Sequence, residues 1–298
     1  MRTITRCDFI EEDGEVIVDI FRSPLEALDT AILRSSQFQQ PVQSPLREGH
    51  AKGEWYGVRT PEDLRRACAL GLDDTLSHSL ARTLSTLRTE ETLRPIRRRW
   101  DVAGGSLSVP RYLSGDPMPF RHRVRGRARS RTLEIVILPT IDFSVTSAES
   151  EAIGRCMGQV LGLLTGMGYA IGISTLSLTR YIGTPFDHAY TRGAFIRIKD
   201  PSDAFNPRKI SFALSRVLAR ALFIALVIQD TAYINSYARK VLPPTCDDDV
   251  FALIDELHKG TKVVFDANDL MTRLRADWGE ERCVEYLLSS VTDHTAHQ

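Results

Sequence analysis

An α/β fold, built as a mainly parallel sheet covered by helices, is predicted by three observations. Leu133–Leu138 (LEIVIL) is a short apolar run followed by a polar turn, a helix-like segment and a second strand-like run. Ala194–Asp200 (AFIRIKD) alternates apolar and polar residues, the period of a strand. Val250–Asp255 (VFALID) and Thr261–Phe265 (TKVVF) are two more runs rich in strand-forming residues, set off from the rest by helical patterns. Strands alternating with helices argue for a sheet with helices on both faces.

From the N-terminus, Glu15–Phe21 (EVIVDIF) reads as a strand and Pro24–Ser35 as a helix. A polar connection rich in Gln, Ser and Pro runs from Ser35 to Gly53. Thr60–Gly71 (TPEDLRRACALG) has the marks of a capped helix, with Thr60 as cap and Pro61 at the first helical position. In the βαβ unit after Leu133, Ser147 is the expected N-cap, and Glu149 and Glu151 sit where the helix dipole favours carboxylates. That helix is expected to run to about Leu164, with Gly154, Gly158 and Gly162 forming a stripe that lets it lie close to the sheet. Tyr169–Leu178 is the following, parallel strand.

The same region, Met157–Leu178, is uncharged and long enough to span a bilayer, with GxxxG spacings suited to membrane helix pairs. Each glycine costs a helix about 1 kcal/mol, however, and Gly166-Met167-Gly168 reads as a helix end, so no membrane partner is favoured. Further on, Phe205-Asn206-Pro207 starts a long apolar helix expected from Arg208 to about Asn235, and Gly279–Val291 forms a closing helix. Two units follow from this organisation: residues 1–132, an N-terminal α+β extension, and residues 133–298, the α/β domain.

Composition excludes several classes. The 298 residues are 43% hydrophobic and 26% charged, and 38 basic residues balance 38 acidic ones, so any attraction to polyanions must be local. Five scattered cysteines without a CxxC pair and the lack of a secretory signal at the N-terminus predict a reducing, cytoplasmic setting. The histidines show no HExxH spacing, no phosphate-binding GxxxxGK[ST] loop is present, and no nucleophile with a base stands out, so no enzyme is expected.

Local attraction is concentrated in Arg94–Arg131. This segment holds eleven arginines and no lysine against Asp101 and Asp116, a local charge of about +9. Arg121, Arg123, Arg125, Arg127, Arg129 and Arg131 alternate with other residues, which in a strand places a charged row on one face. Such a row suits the phosphates of a nucleic acid, with Trp100, Tyr112 and Phe120 near enough to stack bases. A solvated edge strand kept soluble by arginine uses the same residues without any ligand.

A second candidate site follows from topology, because open α/β sheets bind ligands at the carboxyl ends of their strands. Asp142, Ser144 and Thr146 follow the first strand of the βαβ unit, Thr184 or Thr191 follows the second, and Asp255 ends a later run. Carboxylates and hydroxyls of this kind suit Mg²⁺ or Ca²⁺. Asp, Ser and Thr are also ordinary capping residues before a helix.

Asp142-Phe143-Ser144-Val145-Thr146 resembles the D-x-S-x-S metal-ion-dependent adhesion site of von Willebrand factor A domains, with Thr in the third place and Val145 where a glycine is usual. The resemblance covers Leu133 to the C-terminus and implies a von Willebrand A/Rossmann-like fold, a Mg²⁺ site with Asp255 as a further acid, and a protein partner. Residues 53–71, 101–120 and 195–215 are also similar to segments of proteins from tailed phages and mobile elements. Together these imply a non-enzymatic intracellular protein-interaction module of viral or plasmid origin. The alternative is a nucleic-acid-binding protein acting through residues 94–131 in replication or packaging.

Overall fold

A computed structural model describes residues 2–6, 15–37, 57–91, 97–101, 106–124, 132–139, 145–181, 190–227, 252–255 and 262–296. The N-terminal part contributes β1 (Arg2–Arg6), β2 (Glu15–Phe21), α1 (Pro24–Gln37), α2 (Pro61–Leu70) and α3 (Thr75–Glu91). The arginine-rich segment forms β3 (Arg97–Asp101), β4 (Ser106–Leu107), α4 (Val109–Leu113) and β5 (Phe120–Val124). Then come β6 (Thr132–Leu138), α5 (Ser147–Gly166), β7 (Ala170–Tyr181), β8 (Tyr190–Lys199) and α6 (Pro207–Ala213). A π-helix (Val217–Leu222) leads into α7 (Phe223–Val227), and β9 (Lys262–Asp266), α8 (Ala267–Arg275) and α9 (Glu280–Ala296) close the chain.

Six strands form one sheet in the order β1-β2-β8-β7-β6-β9. The β2–β8, β7–β6 and β6–β9 pairings are parallel, and the β1–β2 and β8–β7 pairings are antiparallel, so the α/β expectation holds. The crossover β6-α5-β7 joins parallel neighbours, as the βαβ reading requires. Only eight residues separate β7 from β8, too few for a parallel crossover, so that pair is antiparallel. β2 pairs with β8, which places a strand from the expected N-terminal extension inside the same sheet.

The two faces of the sheet differ. Leu133, Ile135, Ile137, Ile171, Ile173, Ile196, Val263 and Phe265 project into the large core, together with buried residues of α1, α2, α3, α5, α6, α7, α8, α9 and the π-helix. On the opposite face Val18, Val136, Leu176, Leu178 and Phe195 form a smaller cluster with Leu253 and Ile254. Those last two belong to a helical turn at 252–255, so the strand expected at Val250–Asp255 is helical over its described residues. An apolar run this short has no period that separates strand from helix.

Three more expectations change. The long helix expected from Arg208 is interrupted at Leu214 and Ser215 and continues as the π-helix; residues 228–235 of that expectation lie outside the described set. Ser215 Oγ accepts the amides of Val217 and Leu218 at 3.2 and 3.4 Å, a local bond that competes with the regular helix ladder. The N-cap of α5 is Thr146, one residue before Ser147: its hydroxyl accepts from the Glu149 amide while Glu149 accepts from the Thr146 amide, a capping box. The glycine stripe faces α3 and Leu214 instead of the sheet. A Cβ at Gly158 would lie 3.2 and 3.3 Å from Leu76 and Leu80, and one at Gly162 would lie 3.4 Å from Thr83. GxxxG spacing here serves a helix pair in a protein core; among the described residues no helix is long and apolar enough to cross a membrane.

Gly71 ends α2 at φ 82°, where any side chain would run into the backbone of Arg208. That close approach lets the Leu72 amide donate to the Arg208 carbonyl. Beside it, Asp74 accepts from Ser77 and Ser211, so the start of α3 is tied to α6.

Candidate nucleic-acid interface

The carboxyl edge of β6 was the expected metal site, and arginines are prominent among its described residues. Asp142 and Ser144 lie outside the described residues. Thr146 is described, and its hydroxyl is engaged in the capping box, accepting from the Glu149 amide and donating to the Glu149 carboxylate. Three arginines from three places converge on the same helix start. Arg220, 1% exposed, donates to the Val145 carbonyl at 2.6 Å, Arg216 donates to Ser147, and Arg275 donates to Glu149 at 2.7 Å. The Arg275 guanidinium, together with the Thr146 amide, holds the Glu149 carboxyl down at about 2.

Asp255 does not reach this edge. It pairs with Lys262, the first residue of β9, whereas the edge near Thr146 is reached at the last residue, Asp266. The two ends of that strand are on the order of 13 Å apart. Asp266, which the sequence reading passed over, is the acid that ends β9 at this edge. Its carboxylate caps α8 by accepting from the Asn268 amide at 2.8 Å, and burial pushes its pKa up. Of the expected set, the Thr146 hydroxyl is thus committed to a helix cap and Asp255 to an ion pair with Lys262. Among the described residues no group of three or more His, Cys, Asp or Glu gathers as metal ligands.

The opposite end of the sheet carries a compensated polar row. Arg197 forks onto Glu134 at 2.7 and 2.9 Å, and also donates to Ser174 at 3.0 Å and Asp200 at 2.8 Å. The buried Lys199 amine donates to the carbonyls of Ile171 and Asp200, both at 2.8 Å. Cations and acceptors are matched here, which is the arrangement of a structural network.

The three-stranded sheet β3-β5-β4 differs in kind. β3 and β5 are antiparallel, and their register sets Arg98 opposite Arg123, Trp100 opposite Arg121 and Arg99 opposite His122. Directly opposed residues of an antiparallel pair share a face. Arg98 and Trp100 of β3 are therefore the register partners of Arg123 and Arg121 of β5. Arg121 and Arg123 lie within β5, while Arg125, Arg127, Arg129 and Arg131 of the expected row lie outside the described residues. The sequence reading missed the second strand of the ribbon, β3. Its signal was the run Arg97-Arg98-Arg99-Trp100, which lacks the alternation that marks a strand.

The connection from β4 to β5 is self-bonded. The Ser108 amide donates to the Pro119 carbonyl at 2.9 Å, the Tyr112 and Ser114 amides donate to Ser108 and Pro110, and the Asp116 carboxylate accepts from the Met118 amide and pairs with Arg111. Within it α4 buries no residue, and Leu107, Val109, Tyr112, Leu113 and Met118 are all exposed.

Among known proteins, a family model covers residues 11–261 of this chain. No curated protein and no solved structure matches it.

Proposed function

The chain belongs to the family described as a domain of unknown function (DUF7192), and because that description carries no chemistry, we propose from the geometry that it is a nucleic-acid-binding protein whose β3-β5-β4 ribbon holds a phosphate backbone. The observation that carries the reading is the register that sets Arg98 against Arg123. Like charges directly opposed on one face of a sheet repel and destabilise the pair, and an anion lying over them reverses the sign of that contribution. Arginine without lysine favours the same ligand, since each guanidinium presents a planar fork that matches phosphate oxygens. The reading assigns no catalytic step.

The test is binding of a labelled oligonucleotide as salt is raised. If Arg97, Arg98, Arg99, Arg121 and Arg123 each neutralise one phosphate, log K should fall against log salt with a slope of about −3.5 on a single strand and about −4.5 on duplex DNA. Replacing Arg98, Arg121 and Arg123 together by Gln should flatten the slope by about two units and weaken binding at low salt. Affinity that ignores salt between 50 and 200 mM, or survives the triple replacement, would remove the proposal. A second reading, a protein-interaction module, is supported by the exposed apolar residues between Leu107 and Met118. It predicts association with a protein partner that is insensitive to salt.

A further inference from the structure

The apolar knob at the end of the ribbon narrows the ligand, and the narrowing rests on the phosphate-binding reading just given. Tyr112 is 61% exposed and Leu113 77%, and both sit in a five-residue helix none of whose own residues is buried. The helix is nonetheless bonded at both ends. Its base is closed by the Leu107–Phe120 pairing and the Ser108-to-Pro119 bond, and its end by Gly115 at φ 73° and the Arg111–Asp116 ion pair at 3.3 Å. Exposed apolar residues between strands as rich in arginine as β3 and β5 fit a ligand that has both negative charge and flat apolar faces.

Duplex nucleic acid offers the first and hides the second, because its bases are stacked on one another. A single strand offers both: phosphates along the backbone and bases free to stack on aromatic side chains. We infer that the ligand is single-stranded nucleic acid, its phosphates on the arginine ribbon and its bases against Tyr112 and Leu113. Trp100, opposite Arg121 in the register, supplies a second aromatic residue in the same ribbon.

Four probes separate the cases: a labelled 20-nucleotide single strand, the duplex of the same sequence, heparin, and vesicles of phosphatidylserine in phosphatidylcholine. The intact chain should bind the single strand about tenfold or more tightly than the duplex. Tyr112→Ser with Leu113→Ser should reduce single-strand affinity about tenfold, the effect of losing one stacked base. Duplex and heparin binding should stay unchanged, which also reports that the ribbon is still folded. Equal affinity for single strand and duplex, or equal loss on every probe, overturns the inference while leaving the phosphate-binding reading in place. Failure to bind any polyanion removes both. Vesicle binding or self-association that disappears in the double variant, with single-strand affinity unaltered, assigns the knob to a membrane or a second copy and likewise overturns it.

Discussion

Alanine placed at Gly154, Gly158 and Gly162 in turn should change stability in a graded order, because the space facing each glycine differs. All three lie inside α5, where alanine gains about 1 kcal/mol over glycine from helix propensity. At Gly162 the new methyl would meet, among the described residues, only Thr83 at 3.4 Å, an ordinary contact, so Gly162→Ala should stabilise by about 0.5–1 kcal/mol. At Gly158 it would meet Leu76 and Leu80 at 3.2 and 3.3 Å. Those are side-chain methyls that can shift, so gain and strain should cancel to within about 0.5 kcal/mol. At Gly154 the obstacle is the Leu214 carbonyl at 3.2 Å, a backbone atom that cannot rotate away. Gly154→Ala should therefore destabilise by about 1–2 kcal/mol, and Gly158→Leu, which forces a branched side chain between α5 and α3, by about 3 kcal/mol or more. Urea unfolding followed by circular dichroism reads the order directly from the midpoints, provided the slopes agree. If Gly162→Ala harms the protein as much as Gly154→Ala, or Gly158→Leu is tolerated, α3 is not seated on the glycine stripe and the packing argument is wrong.

Three other outcomes follow from single groups. Glu149 is held at about 2, below its ordinary 4.5, so its contribution to stability is present above pH 4.5 and is lost as pH falls toward 2. Glu149→Gln should lower the urea midpoint at pH 6 and match the unaltered chain near pH 2; a constant difference at both would show that Arg275 and the cap do not set its charge. Burial pushes the Cys68 and Cys156 thiols up to about 12 and raises Cys283, so iodoacetamide at pH 8 should leave these three unmodified until denaturant is added, as peptide mass spectrometry can read. Rapid labelling of the native chain would contradict their burial. Thr175 Oγ1 is buried without a hydrogen-bond partner among the described residues, and Thr175→Val keeps the shape while removing the hydroxyl, so it should raise the urea midpoint by the equivalent of about 1 kcal/mol. A lower midpoint would mean that the hydroxyl is partnered.

Much of the fold was legible where local chemistry and tertiary position agree. Thr60, Pro61 and Gly71 bracket α2 as expected, because cap, first-turn proline and terminal glycine act within a few residues. Asn206 and Pro207 start α6 for the same reason. What the sequence hides is set by distant partners. Nothing near Gly154 says whether a glycine stripe meets a sheet or another helix; Leu76 and Leu80, which decide it, are more than seventy residues away. Leu253 and Ile254 are apolar enough for a strand, and their helical turn is evident only once the opposite face of the sheet is seen to need cover. The candidate site divides likewise: the arginine density of 94–131 is plain in the sequence, but the register that opposes Arg98 to Arg123 is a property of strand pairing.

The β2–β8 pairing has a consequence for how the chain is made. Val18 waits for Gly193, roughly 175 residues downstream, and only then does the β1–β2 hairpin gain its neighbour. Through most of translation that hairpin leaves the ribosome with an edge ready to pair with any passing strand, including one from an adjacent nascent copy. Chains halted before residue 190 should therefore need a holding chaperone, and release of β8 from the exit tunnel marks the moment at which the sheet can close.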